Sequence, residues 1–412
     1  MNTEGSARNY PLHPEEVTNE FLSKCFGSEI ISFGLDTSMT DGGVLADAFR
    51  VKNIEYKNHT EALEKNLPKS CFIKCTKEIP EIVEMCLSTQ VYAKEVYFYS
   101  TLINTVKEVI RVPDCYGIFK DENDLDCREF CLVLEDFSED EWVPFDQFEN
   151  PMNFEDTEQF MKDLASFHAA CWGEPVSDQP GLGPFKAHWQ SLNDEYWSED
   201  GTTTWDDVLP KWEEVYEEPK CCQWLTKKVR STIKRITEIY ASNNGKKIQE
   251  ALIESLKNTP RTITHGDARG NNIFKSKKSG TMGVIDWQMW VAGPASNEFG
   301  QVWFNSYSLE SGMIHRFEEL TKTYYESLCS HKPEIREEYP FDQMMIDIKL
   351  LFINIWIEYL GFTVGSLDGY KDPAQQKAKE NWKEMITRNM QTIHYSGCLE
   401  TFEDFIAGLD LD

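Results

Sequence analysis

The spacing of apolar positions changes several times along the chain, and each change marks an element. In the lead-in, residues 1–27, Val17, Phe21, Leu22 and Phe26 recur at helical spacing, with Pro14 near the predicted helix start. Glu29–Gly34 then reads as a strand, Asp36–Gly43 as a loop of small and polar residues, and Val44–Tyr56 as a second strand. Ser70–Cys75 is a compact apolar strand, and Glu81–Leu102 reads as a helix. Val112–Phe119 is a further strand, and Phe130–Phe137 returns as a buried strand from the acidic turn Asp121–Asp126. In Thr157–Trp172, Phe160, Leu164, Phe167 and Cys171 mark one helical face; His168 on that face is expected to be a structural hydrogen-bonder. Residues 173–213 are irregular, punctuated by Pro175, Pro180, Gly181, Gly183 and Pro184. Helices are predicted over Lys220–Tyr240 and Gly245–Leu256. A short apolar strand then runs into His265, and another ends on Asp286. Met344–Leu360 is the most apolar helix, but Asp347, Lys349, Asn354 and Glu358 interrupt it, which predicts a buried core helix and not a membrane span.

Composition narrows the classes. With 412 residues, 41% of them hydrophobic, the chain is long enough to bury two sizeable cores. A formal charge of −29 opposes binding to nucleic acid, whose phosphates attract basic surfaces. The charge serves solubility or favours a cationic substrate. Trp189, Tyr196, Trp197, Trp205 and Trp212 lie among carboxylates and would suit such a cation, although core packing accounts for them equally well. Met1–Tyr10 is polar and lacks the apolar run of a signal peptide. The twelve cysteines form no Cys-x-x-Cys pair, and Cys71, Cys75, Cys127 and Cys131 lie in strand-like runs where thiols pack as small hydrophobes. A reduced, cytoplasmic, zinc-free protein is expected.

The candidate chemistry lies in two stretches, His265-Gly266-Asp267 with Asn272 five residues beyond the aspartate, and Ile285-Asp286-Trp287-Gln288. Phosphoryl transfer needs a carboxylate to orient and deprotonate an attacking hydroxyl, and oxygen ligands for magnesium at the phosphates. Asp267 fits the first role, and Asn272 with Asp286 the second. Lys74 is the one lysine in its apolar strand, where an ammonium is costly unless paired. Glu95 is the expected partner and Glu84 the alternative. A hydrolase is disfavoured, since no Gly-x-Ser-x-Gly elbow occurs.

The ordered string His-Gly-Asp-x-x-x-x-Asn followed by Ile-Asp-Trp-Gln resembles the small-molecule kinases of protein-kinase-like fold: the aminoglycoside phosphotransferases, the choline and ethanolamine kinases, and above all the ecdysteroid kinase-like (CHK kinase-like) family. The resemblance implies a bilobal α/β (α+β) fold. Its nucleotide-binding lobe, with a small antiparallel sheet, would cover 1–137, and a larger, mainly helical catalytic and substrate-binding lobe 138–412. It further implies ATP and Mg2+ as cofactors, with Asp267 as catalytic base towards a hydroxyl of a small acceptor and Asn272 and Asp286 on the metal. Lys74 would contact the α/β phosphates, with Glu95 holding it. The backbone of Asp41, Gly42, Gly43 and Val44 would cover the phosphates, and backbone groups of Glu135, Asp136 and Phe137 would meet the adenine edge. No long activation segment with a closing Ala-Pro-Glu follows Asp286, which points to a small acceptor and not a protein. The alternative is a nucleotide-binding scaffold without phosphotransfer. Two positions depart from the family's pattern. Asn297 stands where relatives usually carry an aspartate that braces the catalytic loop, and Arg269 replaces a residue that is commonly aromatic.

Overall fold

A computed structural model describes residues 8–38, 45–183, 223–369 and 376–411. It is a mixed α/β structure in two compact units. The first comprises residues up to Val143 together with Phe274–Met289, and the second Pro144–Ile273 with Trp290 onwards. The boundary expected after residue 137 thus falls slightly later, and the first unit takes back a segment that the linear division assigns to the second.

The first unit is built on an antiparallel five-stranded sheet of β1 (Ile30–Asp36), β2 (Ala46–Tyr56), β3 (Cys71–Thr76), β4 (Cys115–Lys120) and β5 (Phe130–Glu135), in the order β1-β2-β3-β5-β4. Period-two alternation sends Cys71, Ile73 and Cys75 of β3 into a core with Phe49, Val51 and Val133. The helix Asn19–Phe26 contributes Phe21 and Leu22 to that core; Thr18 Oγ1 caps it by accepting from Phe21 N, and Gly27 ends it at φ 63°. The opposite alternation leaves Lys74 on the other face of β3, in register with Leu132 of β5 and Ala48 of β2. β4 begins later than the apolar run predicts because Pro113 has no N–H to give a ladder.

The helix expected over Glu81–Leu102 is two helices, Pro80–Ser88 and Val91–Tyr97, followed by a π-helical turn at Phe98–Leu102. The hydroxyls of Ser88 and Thr89 both donate to Met85 O, competing for a helical carbonyl, and Gln90 turns the chain at φ 59°. The break lets the second helix run in its own direction, with Glu95 buried.

The returning segment supplies most of β8 (Ile273–Ser276) and all of β9 (Met282–Val284), which join β6 (Trp142–Pro144) in the order β6-β8-β9. Phe137 stacks on Trp142 with ring centroids 4.2 Å apart, and Phe274 meets Phe137 edge-on at 5.7 Å. Gly283 packs against this cluster: a Cβ there would lie 2.5 Å from the Phe137 ring. After β9, Trp287 stacks on Phe98 at 4.2 Å and donates its indole N–H to Val284 O.

The second unit is mainly helical. Its helices Phe154–Ala170 and Phe317–His331 pack together, and His168 Nδ1 lies 2.7 Å from Tyr324 Oη. Burial drives the imidazole down to about 3, so it is neutral at ordinary pH and acts as the structural hydrogen-bonder expected from its helical face. The long helix Phe341–Gly369 receives Gly300 of the helix Asn297–Asn305 against Ile355, so closely that a side chain would collide. Two of its polar interruptions, Asp347 and Asn354, are paired. Asp347 accepts from Tyr339 Oη and Gln343, and Asn354 accepts from Gln249. Among the described residues, no helix is long and apolar enough to cross a membrane. A two-stranded antiparallel ribbon, β7 (Arg261–Thr264) with β10 (Val291–Pro294), delivers the chain to His265.

Candidate active site

Within the first unit, Lys74 gathers the polar groups. Its Nζ lies 2.9 and 2.8 Å from the two carboxylate oxygens of Glu95, 2.5 Å from Asp286 Oδ1 and 3.2 Å from Gln288 Oε1. Glu84, the alternative partner, pairs instead with Arg128. Burial opposes the Lys74 charge, but Asp286 and Glu95 outweigh it, so the ammonium is held charged above its ordinary value. Burial pushes the Glu95 carboxyl upward, with Lys74 opposing. Gln288 closes the group by donating from Nε2 to Asp286 Oδ2 at 3.1 Å. Asp286 itself sits at φ 65°, a left-handed conformation that a non-glycine residue adopts at some cost.

The residues expected at the adenine edge are mostly committed elsewhere. Glu135 pairs through its side chain with Arg111 and accepts from Asp114 N, while its own N–H bonds Asp114 O. Asp136 is paired with Arg50 at 3.0 Å, and its carbonyl accepts from Ser138 N. Among the described residues, the backbone N–H and C=O of Phe137 and the N–H of Asp136 take no hydrogen-bond partner. Asp41, Gly42, Gly43 and Val44 lie outside the described residues, as do the aromatic positions from Trp189 to Trp212.

In the second unit, β7 ends at a turn that needs Gly266, whose φ is 81°. The turn exposes Asp267 to two side chains. Asn272 donates from Nδ2 to Asp267 Oδ2 and to Asp267 O, each at 2.9 Å, and Arg269 Nε lies 3.3 Å from Oδ2. His265 is buried, and its Nδ1 accepts from Asp267 N at 3.2 Å, which requires that nitrogen to be unprotonated. Asn271 fastens the following 3₁₀ turn to Asp146 at 2.7 Å.

The brace of this loop is one residue from where it was expected. Asn297 donates to Thr264 Oγ1 at 3.2 Å, but the carboxylate beneath the turn is Glu298, fully buried, whose Oε1 accepts from Gly266 N at 2.7 Å. Burial is the largest influence on Glu298 and pushes its carboxyl up to about 8. A sequence signal existed: an acid sits beside Asn297 at the N-terminal end of a helix. A second residue missed in the sequence is Arg388. Buried completely, it donates to Gln147 Oε1 at 3.1 Å and Phe304 O at 3.0 Å and lies 3.6 Å from Glu384. Nothing in its amphipathic helix distinguishes it from a solvated arginine.

The donors fit a hard divalent cation by kind. Asp286 offers carboxylate oxygens, and Asn272, with Nδ2 already donating to Asp267, is left its amide oxygen. No cluster of three or more His, Cys, Asp or Glu that could hold a metal by itself occurs among the described residues.

No curated protein matches the chain. Among solved structures, an AMP-bound spectinomycin phosphotransferase, APH(9)-Ia, is similar at 12% identity and a TM-score of 0.47, covering 92% of this chain and 96% of that one. The choline kinase LicA from Streptococcus pneumoniae is similar at 13% identity and a TM-score of 0.39, with 90% and 96% covered. A Plasmodium vivax ethanolamine kinase gives 13% identity and 0.38, with 93% and 89% covered. Residues 45–336, which contain Lys74, Asp267 and Asp286, match the ecdysteroid kinase-like family, and the chain therefore belongs to that family.

Proposed function

We propose that the chain transfers the γ-phosphoryl group of ATP to a hydroxyl of a small acceptor, with Asp267 as the base. Membership of a kinase-like family supports the class of reaction. The observation that carries the reading is the buried Lys74, held charged between Glu95 and Asp286 in the fold's first unit. A lysine so desolvated is expensive to keep and gains its use when an anionic phosphate arrives. In this reading Glu95 keeps the ammonium pointed while Lys74 exchanges Asp286 for phosphate oxygens. Backbone groups of the Glu135–Phe137 stretch, with the Asp136 N–H and the Phe137 N–H and C=O lacking partners among the described residues, would meet the adenine edge.

Asp267 orients the acceptor hydroxyl and takes its proton as the new bond to phosphorus forms. Asn272 and Arg269 hold the carboxylate in one rotamer through contacts at 2.9 and 3.3 Å. His265 fixes the backbone beneath it. Bound magnesium, held by Asp286 and the Asn272 amide oxygen, would offset charge on the phosphates. The test is ATP consumption with Mg2+ across amines, sterols, sugars and aminoglycosides, followed by mass analysis of the acceptors. The expected result is one acceptor class gaining a phosphoryl group in an Asp267-dependent manner. Nucleotide binding with no turnover on any acceptor would favour the scaffold.

A further inference from the structure

Asp286 has two oxygens, and the first unit treats them differently. Oδ1 meets the Lys74 ammonium at 2.5 Å, whereas Oδ2 receives an N–H from Gln288 at 3.1 Å. Gln288 is itself buried, and its Oε1 faces Lys74 at 3.2 Å. The orientation of this amide follows from its neighbours: turning it over would set an NH2 against the ammonium and an oxygen against the carboxylate. A glutamine is therefore suited where a glutamate would add a third carboxylate beside Glu95 and Asp286, and where an apolar residue would release Oδ2.

We propose that Gln288 is the positioning residue that makes Asp286 a one-oxygen ligand, and that it thereby biases the site towards Mg2+ over larger divalent cations. The inference rests on the phosphotransfer reading, in which phosphate draws Lys74 away from Oδ1. Gln288 stays on Oδ2 through that exchange, because its N–H contact does not involve the lysine. Oδ1 alone is then presented to a cation. Magnesium demands near-octahedral geometry and seldom accepts both oxygens of one carboxylate, whereas calcium takes six to eight ligands and readily accepts two. Left-handed Asp286 cannot easily re-aim its side chain by backbone adjustment, so the choice of oxygen falls to the side-chain contacts.

The experiment measures ADP affinity by calorimetry in Mg2+ and, separately, in Ca2+, for the full chain and four variants. Gln288→Met and Gln288→Ala both remove the N–H, and each should shift the Mg2+/Ca2+ affinity ratio towards Ca2+ by ~10-fold, the usual scale for losing an outer-shell partner. Lys74→Met should weaken binding in both metals and leave the ratio in place, since Gln288 still holds Oδ2. Asp286→Ala should abolish the metal dependence. An unchanged ratio in folded Gln288 variants, with Asp286→Ala still losing metal dependence, would overturn the inference alone. An equal ratio shift in Lys74→Met would also overturn it, because Gln288 would then act through the lysine. If Asp286→Ala keeps its metal dependence, the metal assignment falls, and this inference with it. Thermal melts of both Gln288 variants identify any that fail to fold.

Discussion

Replacing Glu298 with glutamine isolates the cost of a buried acid beneath the candidate catalytic loop. The glutamate is fully buried, and burial raises its carboxyl from an ordinary 4.5 to about 8, while hydrogen bonding from Gly266 and from the neighbouring His265 N–H and Thr264 hydroxyl opposes the shift. The folded chain thus holds this proton more tightly than the unfolded chain does. Stability linked to the group is fully present below pH 4.5 and is lost as pH rises towards 8. At ~1.4 kcal/mol per pH unit the loss across that window is of order 4 kcal/mol. Glutamine keeps an oxygen for Gly266 N–H and cannot ionise, so Glu298→Gln should match the parent near pH 5 and exceed it by roughly 3–4 kcal/mol at pH 9. Urea unfolding at the two pH values measures the difference directly. A difference that stays flat between pH 5 and 9 would refute the reasoning, whatever its size. Glu298→Ala serves as a contrast, since it strands the Gly266 N–H at every pH and should cost ~1–3 kcal/mol throughout.

Further outcomes follow from the same geometry. Asp267→Asn should lower turnover by ~10²-fold or more while leaving ADP affinity near normal, which steady-state kinetics and calorimetry read separately; comparable turnover would remove Asp267 as the base. Lys74→Ala and Glu95→Ala should be non-additive in kcat/KM, with a coupling of about 0.5–3 kcal/mol for residues in contact, and strict additivity would show that they do not act as a unit. Arg388→Met should destabilise the fold by about 3–5 kcal/mol, because Glu384 loses its buried partner and the Gln147 and Phe304 acceptors lose their donor. A denaturant midpoint close to that of the parent would show that Arg388 is dispensable.

What the sequence determined by itself was local or periodic. Cys71, Ile73 and Cys75 alternate along β3 and face the core because successive side chains of a strand point to opposite faces, and the same rule puts Lys74 on the other side. The five-residue step from Asp267 to Asn272 spans one tight turn, so the two side chains meet with no help from distant residues. Glu95 could be proposed for Lys74 because an ammonium in an apolar strand demands an anion, although Glu84 lay nearer in the chain. Tertiary structure alone decided the rest. Thr89 and Gln90 have nothing in their local pattern that outweighs the apolar residues on either side, yet a left-handed turn there sets the direction of the helix carrying Glu95. Residues 274–289 join the first unit through strand pairing and the stacking of Phe98 on Trp287, contacts between segments far apart in the chain. Glu298 braces Gly266, while its neighbour Asn297 reaches Thr264. Adjacent residues on a helix point about 100° apart, and which of two polar neighbours faces a buried N–H is settled only when the helix docks.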